Sequence, residues 1–133
     1  MALPALAADD HPMGFFVTST GIGNGADLGG HEGADAHCTT LAEAAESKER
    51  TWRVYLSTQA EEGRAVSARD RIGSSPWYNA RSELIAVDLD QLHINPNVVK
   101  RTALDEHSNQ LNGRGDKPNQ HDVLTGSKDY GTT

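Results

Sequence analysis

Residues 15–38 read FFVTSTGIGNGADLGGHEGADAHC, and the fold turns on how this stretch is understood. It opens on an apolar run, Phe15-Phe16-Val17, and then breaks into glycine. Gly21, Gly23 and Ala26 match G-x-G-x-x-A, the spacing of a phosphate-binding loop between a strand and a helix. Such a loop works when the helix starts at its second or third small residue, so that free N–H groups meet the pyrophosphate. Here the helical period starts later. Ala34, Cys38, Leu41 and Ala45 share one helix face, so the helix is expected from Ala34. A dinucleotide site also needs an acidic residue at the end of the next strand, and the next β-rich run ends in Ser57-Thr58-Gln59. The glycines therefore read as a loop that leaves a strand over 15–20 and turns into a helix.

Outward from this stretch the pattern stays mixed. Asp35 is expected at the cap or in the first turn of the helix, where a carboxylate meets unpaired N–H groups, with Lys48 and Arg50 near the far end. TWRVYLST, residues 51–58, alternates Trp52, Val54 and Leu56 with Arg53, Tyr55 and Ser57, which predicts a half-buried strand. A polar segment with room for one short helix follows, then a turn at Pro76 and the apolar group Leu84-Ile85-Ala86-Val87. After His93 the chain is mostly turn formers, interrupted by Val98-Val99, Leu104 and Val123-Leu124. That part carries too little apolar surface for a core of its own. Cys38, Leu41, Trp52, Val54, Leu56 and Trp77 are the expected structural residues.

The chain has 133 residues, enough for one domain with a modest core, and its hydrophobic fraction of 36% is that of a folded protein. A net charge of -7 argues against non-specific binding to nucleic acid or to an anionic membrane. No apolar run is long enough to span a bilayer. Ala5-Leu6-Ala7 has the small-x-small form of a signal-peptidase site, so residues 1–7 read as a signal-peptide remnant and the protein as exported to the periplasm or the extracellular space. The lone cysteine, Cys38, is either a buried thiol or, in an exported protein, one half of a bridge to another chain.

Four motifs in order carry a family resemblance: Gly33-Ala34-Asp35 with Cys38, Thr51-Trp52-Arg53 leading into Tyr55-Leu56-Ser57, DRIG with PWYNARSELI, and HDVLTGSKDYG. Over roughly residues 14–131 the chain resembles the C-type-lectin-like fold. It is most similar to the endostatin-type branch, the C-terminal module of certain collagens, and to bacterial lectin-like relatives. The resemblance implies an α+β domain over residues 8–133, with short mixed strands, one or two helices and long ordered loops. It also implies that Cys38 belongs to a disulfide whose partner cysteine comes later in the family's pattern. The late segment is not in this sequence, so either the sequence is a fragment or another chain completes the fold.

Candidate sites are few. His31 and His37 flank the helix start, but His37 and Cys38 are neighbours on a helix and diverge by about 100°, which suits surface histidines better than a zinc site. Asp9, Asp10 and His11 form a loose candidate for N-terminal metal binding. Asp116, Asn119 and Asp122 offer hard oxygen donors, so Ca²⁺ is the candidate cofactor. Arg114-Gly115-Asp116 is an RGD tripeptide on an expected turn. Asn24 and Asp27 in the first loop, with Asn112, Arg114 and Asp116 in the second, are the candidate ligand contacts, because function on such a scaffold tends to sit in loops. Trp52, Trp77, Tyr55 and Tyr78 would offer a sugar-stacking surface, although the step of Trp52 with Val54 and Leu56 points it inward. No Ser, His or Cys has the base and orienter that nucleophilic catalysis needs. The expected function is a non-enzymatic recognition or adhesion module for a protein or glycan ligand, the alternative a structural subunit of a homo- or hetero-oligomer.

Overall fold

The structure is a computed structural model that describes residues 11–47, 50–59, 63–74 and 76–133. Along the chain come helix α1 (Gly30–Ala44), a 3₁₀ turn (Ala68–Asp70), strands β1 (Trp77–Tyr78) and β2 (Leu84–Ala86), and helix α2 (Leu89–Ile94). Strands β1 and β2 pair antiparallel, with Trp77 opposite Ala86 and Tyr78 opposite Leu84, and an irregularity lies between the two pairs. The architecture is thus a small α+β domain with two helices and a two-stranded sheet.

Helix α1 starts four residues earlier than its apolar period predicts. Gly29 and Gly30 enter it with φ of 71° and 66°, a left-handed turn that glycine makes at little cost. Asp27 accepts the Gly29 N–H at 3.1 Å, and the His31 ring donates to the Leu56 carbonyl at 2.8 Å. These contacts hold a first turn whose residues have weak helix propensity of their own. Gly33 is required there for space, because a Cβ would fall against the Leu28 carbonyl. The buried face of α1 is Ala34, Cys38 and Ala42, while Leu41 is only half-buried. The helix ends at Ala44, so Arg50 lies beyond it, and Lys48 is outside the described residues.

Neither expected strand forms among the described residues. Segment 15–20 runs beside the sheet without a ladder. Phe15 donates to Tyr78 O at 3.0 Å and Val17 to Leu104 O at 2.9 Å. Segment 51–58 makes one isolated bridge, Thr58 with Val66. The alternation still sorts side chains: Trp52 and Leu56 are buried, Val54 is half-buried and Arg53 is exposed. Ser57 breaks the pattern. It is buried on the polar side, where its hydroxyl accepts the Ala68 N–H at 2.8 Å.

The core has two parts. Cys38, Ala42 and Trp52 pack with Met13, Phe16 and Val54. Trp77, Ile85 and Ala86 pack with Phe15, Ile72, Leu89 and Leu92. Phe15 and Phe16 therefore go to different clusters, as successive residues of an extended chain do. Phe16 meets Trp52 edge to face, with centroids 4.9 Å apart. Helix α2 has a sequence signature of its own. The Asp88 carboxylate caps it by accepting the Gln91 N–H at 2.8 Å, and the Gln91 side chain accepts the Val87 N–H at 2.7 Å.

Candidate functional site

Segments 14–18 and 50–55, whose Phe15, Phe16, Trp52 and Val54 pack in the two core clusters, border an open cleft of about 720 Å³. Its walls are largely apolar: Phe15 and Phe16 from the first segment, Trp52 and Val54 from the second, and Trp77 and Leu92 from the sheet and α2. Gly21, Ile22, Gly23, Gly25 and Leu28 border it from the glycine loop, and Val98, Val123 and Leu124 from the loop-rich C-terminal half. Several of these aliphatic groups stay exposed, with Ile22 and Val98 at 40%, Leu124 at 54% and Val123 at 58%. So much apolar surface around one concavity makes it the candidate binding surface of the domain.

One ion-pair network positions the second wall. The Asp35 carboxylate, in the second turn of α1 and not at its cap, accepts the Val54 N–H at 2.8 Å and meets Arg71 at 2.6 Å and Arg53 at 3.1 Å. Burial alone would raise its pKa, but the Arg71, Val54 and Arg53 hydrogen bonds outweigh it and hold the carboxyl below its ordinary value. Arg71 also donates to the Val54 carbonyl at 2.8 Å, so both backbone groups of Val54 are held.

On the opposite side, His93 Nδ1 lies 2.6 Å from the Leu89 carbonyl, which only accepts, so Nδ1 carries the proton. Nε2 then accepts the Tyr55 hydroxyl at 2.7 Å. Burial raises the Tyr55 pKa. Trp52 is buried, and its indole N–H has no acceptor among the described residues.

Cys38 lies in the cleft wall as a free, buried thiol. Burial first, then the carboxylates of Asp35 and Glu106, push its pKa up to about 11, so it is neutral and a poor nucleophile at ordinary pH. The Ser19 hydroxyl donates directly to Glu106, and His107 Nε2 stands 3.7 Å from the same carboxylate. A serine bonded to the acid in place of the imidazole lacks the order of a nucleophile–base–orienter set.

The other expected site residues are dispersed or already engaged. Asn24 and Asp27 bond to each other at 3.2 Å in an exposed turn of the first loop. The Asn112 backbone carbonyl accepts the Gln120 N–H at 3.3 Å, and Arg114 is exposed. Asp116 binds Lys100 at 2.5 Å and accepts the Gly113 N–H at 2.8 Å, and these contacts lower its pKa. The RGD carboxylate is thereby turned back onto its own loop. Asn119 takes the His121 ring at 2.8 Å, and Asp122 pairs with His121 at 3.3 Å. Among the described residues no three His, Cys, Asp or Glu side chains converge as a metal site. His31, His37 and His93 each donate to a backbone carbonyl as struts, and His11 stacks on Tyr78. Asp9, Asp10 and residues 1–7 lie outside the described residues.

Of the expected contact loops, the glycine loop borders the cleft, and no described residue of 112–122 lines it. Tyr55, Trp52 and Trp77 line it; Tyr78 does not. Sequence reading missed Leu92, His93, Val98, Val123 and Leu124, although Val98-Val99 and Val123-Leu124 stand out as apolar pairs in a turn-rich half. No described helix is long and apolar enough to cross a membrane. No protein-family model matches the chain, and no curated protein and no solved structure matches it either.

Proposed function

We propose that the protein is an exported, non-enzymatic recognition or adhesion module of the C-type-lectin-like kind, acting in the periplasm or outside the cell. Its ligand is a protein or a glycan bound at the open cleft, with Ca²⁺, for which Asp116, Asn119 and Asp122 offer oxygen donors, as the candidate cofactor. The observation that carries the reading is the cleft itself: a concavity of about 720 Å³, walled by Phe15, Phe16, Trp52 and Trp77 and rimmed by exposed aliphatic side chains. Aromatic walls suit both sugar rings and apolar side chains. The neutral thiol of Cys38 and the serine-to-acid order at Ser19 both favour binding over turnover.

Tryptophan emission reports on the cleft directly. Titration with a panel of soluble glycans and peptides, with and without Ca²⁺, should give a saturable change for at least one ligand. The substitution Leu124→Asp, at an exposed cleft position, should weaken that binding at least tenfold without loss of cooperative unfolding. Binding indifferent to Leu124→Asp would move the site elsewhere, and turnover of a bound ligand would replace recognition with catalysis.

A further inference from the structure

The cleft has a feature that an ordinary apolar pocket lacks: two unbroken runs of chain border it. Residues 14–18 and 50–55 line it consecutively, not at every second or third position. Within these runs the backbone N–H and C=O groups of Phe16, Trp52, Arg53 and Tyr55 take no hydrogen-bond partner among the described residues. Extended chain with free N–H and C=O groups is what a sheet edge presents to an incoming strand. The indole N–H of Trp52, in the same wall, is buried without an acceptor among the described residues. Buried donors are rarely left in this state. The charge at the mouth is also distinctive. Arg50 and Arg53 line it, Arg53 being paired with Asp35, and the one carboxylate among the lining residues is Asp129, in a chain whose net charge is -7.

We infer that the cleft receives an extended polypeptide segment of a partner protein, which adds as a β-strand along residues 50–55 or 14–18. Its alternate side chains are aliphatic and face Phe16, Trp52 and Val54, and an acidic residue at its end meets Arg50. The inference rests on the recognition reading and narrows its ligand to a protein strand. A glycan would meet the aromatic faces but has no regular ladder of donors and acceptors to match the two backbone runs. An acyl chain would fill the apolar volume and leave every backbone group unpaired.

The test uses a capped octapeptide alternating valine and threonine with a terminal aspartate, and a twin N-methylated at alternate amides. The twin keeps the side chains and loses the ladder donors. Calorimetry on the full chain should show the parent peptide binding with the twin at least tenfold weaker, and Arg50→Glu should weaken the parent severalfold. Equal binding of parent and twin overturns strand addition. Binding of decanoate or of the dye 8-anilinonaphthalene-1-sulfonate, with no binding of the parent peptide, also overturns it while leaving the cleft as a recognition site. Failure of peptides, dye, decanoate and glycans alike overturns both readings.

Discussion

At the scale of single residues, Asp35 and Cys38 show how one helix face serves two purposes. The Asp35 carboxylate joins α1 to the 51–57 segment through Val54, Arg71 and Arg53, and Asp35 and Arg71 are 14% and 11% exposed. Removing one partner of a poorly solvated pair strands the other, so Asp35→Ala should cost about 3 kcal/mol in urea unfolding. The lowered carboxyl pKa gives a further sign. Its stabilisation is complete above the ordinary value of 3.8 and is lost as pH falls below it, which acid unfolding of the parent and Asp35→Ala proteins would separate. Cys38 responds at the other end of the scale. Folding keeps the thiol neutral, so its contribution is complete below 9.0 and is lost as pH rises from there toward about 11. At pH 8 the thiolate populations implied by those two values differ about 100-fold. Labelling by Ellman's reagent should be slower in the native protein than in urea by at least about that factor. Fast native labelling would show that Cys38 is reached through the cleft.

At the scale of elements, the helices were legible in different degrees. The 3.6-residue period located α1 and its inward Cys38, but its start was set by Gly29, Gly30 and the His31 contact with Leu56, none of which is periodic. Helix α2 is only six residues long, too short for a period, and its signal is the Asp88–Gln91 cap. Asp88→Ala should destabilise the protein by about 1 kcal/mol, measured by urea titration. The same change should loosen the Tyr55–His93 bond, because His93 is fixed by the last turn of α2. The strands were the harder inference. Alternation at Trp52, Val54 and Leu56 correctly sorted inside from outside, yet alternation describes one chain and a strand needs two. Among the described residues, backbone pairing at 51–58 is limited to the Thr58–Val66 bridge and the bond from Ser57 to Thr125.

At the scale of the whole molecule, a thin core lies beside a large apolar concavity. The dye 8-anilinonaphthalene-1-sulfonate should bind the native chain saturably at one site. Val98→Asp and Leu124→Asp should reduce its emission, whereas Val99→Asp, as exposed as Leu124 but outside the cleft, should not. Emission unchanged in all three would mean a diffuse apolar surface in place of a site. The sequence by itself determined the α+β class, the place of α1, the inward Cys38 and the burial of Trp52, Leu56 and Trp77, because periodic burial is a local property of the chain. It also argued against a phosphate loop in 15–38, since the helix would have to begin at the glycines near Gly23 and its apolar period starts only at Ala34. Only the tertiary structure decided that Asp35 braces Val54, that three histidines are struts, and that residues from both halves of the chain enclose one cleft. Those facts depend on which distant segments meet, and spacing along a single chain carries no record of that.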